Sequence, residues 1–149
     1  MIVRTATRDD LAAIVALLAD DPLGAAREDL GPPLAPAYHT AFDAIDADPN
    51  QHLVVAEQGG RIVGTLQLTV TPGLSRKGAL RATIEAVRVD ASCRGQGLGA
   101  QLIDWAVNDA RQRGCALVQL TTDASRRDAH RFYERLGFTP SHLGFKKPL

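Results

Sequence analysis

The residues best suited to chemistry lie in "VRVDASCRGQGLGAQLIDWA", where Gly95, Gly97 and Gly99 alternate between an apolar strand pattern and a helical one, directly after Arg94. A tight loop needs one or two glycines. Three of them at a helix start leave N–H groups that no Cβ shields, and the first amides of a helix have no partner within it. Such a loop suits an anion, phosphate above all, with the positive end of the helix behind it. Arg94 can add a charge-assisted contact. Two further groups could move protons: Glu85 in "LRATIEAVRV" and Tyr133 in "RFYERLGF". On a regular strand Glu85 shares a face with Thr83, Val87 and Val89. A carboxylate desolvated among apolar neighbours makes a better base near neutral pH. The other reading is an edge carboxylate paired with Arg81 or Arg88. Tyr133 either offers a phenol proton or packs in an apolar stripe with Phe132. Cys93 reads as an ordinary small loop residue and His130 as a solvated one.

These residues need a frame. "IVRT" predicts a short strand, and "TRDDLAAIVALLADD" a helix with Leu11, Ile14, Val15 and Leu18 on one face and a capping-box-like start at Thr7 and Asp10. "DPLG" and "LGPPLAP" break the chain before a helix in "AYHTAFDAIDAD", ended by Pro49. The Pro- and Asp-rich stretch from Pro22 to Asn50 is the least regular, a place where specificity often resides. "HLVVAEQGGRIVGTLQLTV" reads as a hairpin turning at Gly59-Gly60, and a third long strand follows, so the upstream sheet is antiparallel. After the glycines, Leu98, Leu102, Trp105, Ala106 and Ala110 share a helical face that stops at Gly114, and "ALVQLTT" is a buried strand. Strand, helix and strand here make one parallel crossover. A last helix carries Ala129, Phe132, Tyr133 and Leu136, and "LGFKK" is a candidate edge strand. The fold class is α/β of the α+β type: a mixed, mostly antiparallel sheet flanked by helices, in one domain spanning 1–149.

Composition narrows the function classes. With 149 residues, 45% hydrophobic and 23% charged, the chain can bury a core and is neither disordered nor fibrous. No apolar run approaches a membrane span, and "MIVRTATRDD" lacks a signal-peptide core. Cys93 and Cys115 form no CxxC pair, which suits a reducing compartment; the expectation is a cytoplasmic protein without a metal site. The net charge of +0 hides an asymmetry: residues 1–60 carry three basic side chains against ten acidic ones, the remainder fourteen against seven. This is either scattered solvated charge, or an anionic ligand in the C-terminal half and a cationic one near the N-terminal half. The basic half has no aromatic-interleaved motif, so neither nucleic acid nor a membrane is an expected partner. A homodimer is an open expectation.

Gly95, Gly97 and Ala100 also satisfy the loose dinucleotide fingerprint G-x-G-x-x-A, but antiparallel strands precede the loop and about fifty residues follow it, too few for a two-half nucleotide fold. No G-K-[ST] follows the glycines, which excludes a Walker loop. "VRVDASCRGQGLGAQLI" instead resembles the acyl-CoA signature of GNAT superfamily N-acetyltransferases: arginine or glutamine, two residues, glycine, one residue, then glycine or alanine. Arg94, Gly97 and Gly99 match it in R-G-Q-G-L-G. "RFYERLGF" resembles the family's later motif, a helix carrying a tyrosine and ending before Gly-Phe. The two motifs occur in the family's order and separation, and the resemblance covers nearly the whole chain.

The resemblance implies acetyl-CoA as cosubstrate and direct transfer to a primary amine. It also implies roles for particular residues. The backbone of Val87, Arg88 and Val89 would lie along the pantetheine arm. The amides of Arg94, Gly95, Gln96, Gly97, Leu98, Gly99 and Ala100 would hold the pyrophosphate. Tyr133 would sit near the thioester sulfur and protonate the leaving thiolate. Glu85 is the candidate base, directly or through water, and a backbone amide near Val87 the candidate oxyanion partner. The chain departs from the family's pattern twice. Arg126 stands where an asparagine often contacts the cofactor, and Ala91 where a proline often stiffens the turn before the loop. Another acyl group, an oxygen acceptor, or a non-catalytic acyl-CoA-binding or sensing module are the alternatives. The charge asymmetry favours a cationic acceptor admitted past Glu28, Asp29, Asp43 and Asp46.

Overall fold

A computed structural model describes residues 1–149. Alternating apolar residues over Gln51–Gln58 (β2) and Arg61–Thr71 (β3) close into the expected hairpin. Its turn residues Gly59 and Gly60 both have positive φ, 58° and 74°, as a two-residue turn that follows the strand twist requires. β1 (Ile2–Thr5) pairs antiparallel with β2, and β4 (Arg81–Val89) antiparallel with β3. Before β4 the chain makes a single turn, Ser75–Gly78, with Arg76 and Lys77 in the left-handed region. β5 (Leu117–Leu120) pairs parallel with β4, which completes a sheet of order β1-β2-β3-β4-β5. The mixed, mostly antiparallel sheet and its one parallel crossover are therefore as expected.

Helices cover both faces. In chain order they are α1 (Leu11–Ala19), α2 (Pro22–Ala25), α3 (Pro36–Ala47), α4 (the Ser75–Gly78 turn), α5 (Leu98–Gln112) and α6 (Arg127–Arg135). On one face α5 sets Leu102, Ile103 and Ala106 against Leu66, Leu68, Ala82 and Ile84, all essentially inaccessible to water. Burying one such leucine stabilises the fold by about 1.5–3 kcal/mol. On the other face Leu11 and Ile14 of α1 and Phe42 of α3 pack on Val55. α6 lies at the edge of the α5 layer, with Phe132, Tyr133 and Leu136 half-buried against it. No helix is long and apolar enough to cross a membrane.

Two local features differ from a regular reading. The β3–β4 register passes from Thr65↔Arg88 to Gln67↔Glu85, so two residues of β4, Ala86 and Val87, oppose one of β3, Leu66. This is a β-bulge, and Ala86 within it has φ 53°, unusual for a residue with a side chain. An extra residue inverts the side-chain alternation. Ala82 and Ile84 face α5 before the bulge, and Val87 and Val89 face it afterwards. Glu85 therefore does not share a face with Val87 and Val89, contrary to the regular-strand expectation. The second difference is at the C-terminus. "LGFKK" forms no strand, and Leu143 and Phe145 are 84% and 90% exposed.

The N-terminal end is locked by the Thr7–Asp10 arrangement. The N–H and hydroxyl of Thr7 donate to Asp10 at 2.7 and 3.0 Å, and Arg4 forks onto the same carboxylate at 2.7 and 2.9 Å. The Arg4 guanidinium, working against burial and helped by Thr7, holds the Asp10 carboxyl down to about 2, from 3.8. A lowered carboxyl stabilises the fold above its unfolded value and loses that contribution as pH falls toward its folded value. Asp10→Asn is expected to cost on the order of 1 kcal/mol at neutral pH, after allowing for solvent screening. Urea unfolding as a function of pH checks this: the gap between wild type and variant should close between pH 4 and pH 2.

Candidate active site

β4 parts from β5 where its residues begin to matter chemically, while it stays paired with β3. Its pairing with β5 ends at Ile84↔Leu120, while β4 itself runs on to Val89. Over residues 85–89 the side of β4 toward β5 has no strand partner, so backbone groups are open to an extended ligand chain, as in strand addition. At the end of β4, Asp90 caps the short turn Ala91–Cys93 through the Ser92 amide at 2.8 Å, and the glycine loop leads into α5. Those Ser92 hydrogen bonds, more than the nearby Arg61 and Arg94, keep the Asp90 carboxyl below its ordinary value. Gln96 braces the loop from within, donating to the Ser92 carbonyl at 3.1 Å.

The three glycines have two different reasons. Gly95 and Gly97 have φ 77° and 79°, and a Cβ on either would stand in open space before the α5 N-terminus. That is a cradle for a ligand, with the first amides of α5 at its base and no side-chain cap on Gly97. A Cβ on Gly99 would instead meet the Phe132 ring at 3.3 Å and Val89 at 3.8 Å. Gly99 lets α5 approach α6 and β4. The open edge of β4 and this cradle offer backbone from Val87–Val89 and from the loop through Ala100 that could hold an extended ligand arm and an anion.

The α1–α2 turn, Asp20-Asp21-Pro22, closes the other side, and sequence reasoning did not single it out. Asp20 accepts from Arg94 at 2.8 Å and from the Ala91 amide at 3.2 Å. Arg94 also donates to the Val89 carbonyl, so its side chain clasps the turn to the end of β4. Asp21 caps α2 through the Gly24 amide at 2.7 Å, accepts from Arg126 at 2.9 Å and lies 3.5 Å from the Arg88 Nε. Burial works to raise the Asp21 carboxyl, but the Gly24 amide, Arg126 and Arg88 outweigh it and leave it lowered. The two departures noted in the sequence thus have structural counterparts. A proline at position 91 would have no N–H for Asp20, and Arg126 reaches Asp21. Sequence carried a signal for the local role only, since aspartate before proline marks a helix start.

The candidate proton-transfer groups lie on opposite faces of the sheet. Tyr133 stacks edge-on against Phe132 and Phe138, with ring centroids 5.1 and 6.0 Å apart. Burial pushes its phenol above the ordinary value, partly offset by the charges of Arg88 and Arg126. A phenol so placed keeps its proton at neutral pH, as an acid must. Glu85 is exposed and borders an open groove of about 420 Å³ between α3 and the sheet, lined also by Ala44, Ile45, Asp48, Gln51, Gln67 and Thr69. Its expected desolvation is therefore absent. Of the N-terminal carboxylates, Asp48 joins this groove. Glu28 instead accepts from the Tyr38 hydroxyl, Asp29 from the Gly31 amide, and Asp43 pairs with Arg8. Cys93 is buried and packs in the core.

Comparison with known proteins agrees with this geometry. Residues 11–138 match the acetyltransferase (GNAT) family. The aminoalkylphosphonate N-acetyltransferase of Salmonella typhimurium is 40% identical over 113 residues, 76% of this chain and 73% of that protein. A solved structure of a transcriptional regulator from Bacillus halodurans is 51% identical and superimposes with a TM-score of 0.97 over 99% of both chains. An acetyltransferase structure from Trypanosoma brucei is 30% identical, with a TM-score of 0.80 and 99% of both chains covered. The chain belongs to the GNAT family of acyl-CoA-dependent N-acetyltransferases.

If the cradle holds the coenzyme, coenzyme A raises the melting temperature by binding the folded state. Gly97→Val fills the cradle and forces a side chain into the left-handed region, at about 1–2 kcal/mol. It is expected to remain folded and to lose the coenzyme-dependent shift. Differential scanning fluorimetry with and without coenzyme A reads both effects.

Proposed function

We propose that residues 1–149 act as one catalytic domain that moves an acetyl group from acetyl-CoA directly to a primary amine in a ternary complex. The observation that carries this reading is the coincidence, at one end of the sheet, of the open edge of β4, the cradle before α5 and the phenol of Tyr133. The thioester supplies an activated acetyl carbonyl and a thiolate leaving group. Tyr133 gives its proton to that sulfur, and a free amide at the β4 bulge near Val87 stabilises the developing oxyanion. The ammonium of the acceptor loses its proton to Glu85. Because Glu85 is exposed on the opposite face from Tyr133, water carries the proton. No side chain need form a covalent intermediate, and no step calls on a metal. A cytoplasmic location, where thiols stay reduced, agrees with the unpaired Cys93 and Cys115.

The reading extends to a homodimer. Leu143 and Phe145 stand exposed, and β5 is an edge strand of the sheet. A second copy could bury both. Sedimentation of the wild type and of Phe145→Asp reads this, with a dimer expected for the first and a shift to monomer for the second.

A second reading, a non-catalytic acyl-CoA-responsive regulator, is favoured by the name of the Bacillus halodurans relative. Thiol release from acetyl-CoA with a panel of amines separates the two, since a regulator binds the coenzyme without turnover. Tyr133→Phe removes a proton donor that makes no hydrogen bond within the protein and keeps the packed ring. It is expected to lower kcat by about 10²-fold or more with little change in coenzyme affinity. Glu85→Gln is expected to lower kcat/KM most at low pH, where the acceptor arrives fully protonated. Steady-state kinetics across pH check both; unchanged kcat in Tyr133→Phe with chemistry rate-limiting excludes the acid role.

A further inference from the structure

Two guanidinium groups beside Tyr133 share one carboxylate. The Oδ2 of Asp21 takes a hydrogen bond from the Arg126 Nη2 at 2.9 Å and lies 3.5 Å from the Arg88 Nε. Its Oδ1 is committed to the Gly24 amide as a helix cap. Arg88 donates from Nη1 to the Val87 carbonyl at 2.9 Å, and its buried Nε has no hydrogen-bond partner. The Nε edge of arginine is half of the planar fork that grips carboxylates and phosphorus oxyanions by two parallel hydrogen bonds. Leaving a donor of this kind buried without an acceptor costs free energy that a ligand can recover. Both side chains are partly enclosed, Arg88 being 20% and Arg126 32% exposed, so solvent screens them less than it screens surface charges.

The backbone explains why Arg88 is there. On an unbroken strand, residue 88 would face α5 with Ala82 and Ile84. The bulge at Ala86 turns it away from that layer, which takes Val87 and Val89, and toward the α1–α2 turn. Arg88 thus stands next to the open stretch of β4 and within electrostatic reach of the Tyr133 phenol, as does Arg126. Arg126 also lies in electrostatic reach of Asp123, as does Arg27, so this corner sets Arg27, Arg88 and Arg126 against Asp21 and Asp123 and keeps one positive charge in surplus. On the same side of β4, away from α5, the groove holds two carboxylates, Glu85 and Asp48.

We infer that Arg88 and Arg126 form a subsite for an acidic group on the acceptor, which is therefore a small amine that also bears a carboxylate, phosphonate or phosphate. The ammonium end is drawn to the Glu85 side, and the oxyanion competes with Asp21 for the unsatisfied Nε edge of Arg88 and shares Arg126 with it. This keeps the expectation of a positively charged or ionisable amine and adds an acid to it. It rests on the acetyl-transfer reading above and adds the substrate class. Both arginines act here as specificity-determining residues.

The test uses the whole chain, acetyl-CoA and acceptors of equal chain length: an alkylamine with an uncharged tail, the matching amino carboxylate, the aminoalkylphosphonate and the aminoalkyl phosphate. The wild type should favour at least one acidic acceptor over the alkylamine by about tenfold or more in kcat/KM, through KM, with the preference shrinking as salt rises. The arms rank the three acids. Arg88→Gln, and separately Arg126→Gln, should pull that ratio toward one, with Arg88→Lys restoring part of the charge but not the fork. Equal kcat/KM for acidic and uncharged acceptors in the wild type overturns the subsite while leaving acetyl transfer standing. So does a rise in the KM for acetyl-CoA, with the acceptor ratio unchanged, in the variants that fold. Coenzyme binding without thiol release for any amine removes the transfer reading, and the acceptor class falls with it.

Discussion

One extra residue in β4 governs the working end of this protein. The bulge at Ala86 keeps the apolar layer under α5 filled on both sides of the break, since Ile84 before it and Val87 and Val89 after it all reach the α5 side. The same local twist coincides with the point where β4 parts from β5, which opens backbone to a ligand arm. It also sends Arg88 toward the α1–α2 turn. A regular strand would have buried a guanidinium under α5 or displaced the valines. The left-handed φ of an alanine is uncommon, and the fold retains it because packing on both sides of the strand fixes the residues around it.

Around that strand the charge asymmetry of the sequence resolves into contacts. The acidic pair Asp20 and Asp21 comes from the acidic part of the chain, and Arg88, Arg94 and Arg126 from the basic part. The two halves do not present opposed fields to solvent at this place, because they meet. What remains after the meeting is local: a cationic surplus near Tyr133, and two carboxylates in the groove under α3.

Much of this was legible beforehand because it is periodic or local. The α5 face, the Gly59-Gly60 turn and the cradle glycines each obey a rule that spans a few residues. The R-G-Q-G-L-G and RFYERLGF motifs added order and spacing. Other features had no local signature. An alanine, and no glycine, occupies the positive φ of the bulge, so the face of Glu85 was read as if the strand were regular. The partners of Asp20 and Asp21 lie 74 and 105 residues away, beyond any periodicity. Gly99 looked like its neighbours, yet Phe132, distant in sequence, is what requires it. The tail "LGFKK" has strand-like composition but joins neither edge of the sheet.

The Asp21–Arg126 contact also sets an order of events in time. As a chain leaves the ribosome, the β1–β3 meander can pair and α1 can dock while the last third is still unmade. Asp21 then waits for Arg126, 105 residues later. Until α6 arrives, Asp21 lacks its hydrogen bond from Arg126, while Asp20 already has Arg94. Nascent molecules of this protein should acquire the β1–β3 part of their sheet well before they acquire a competent site.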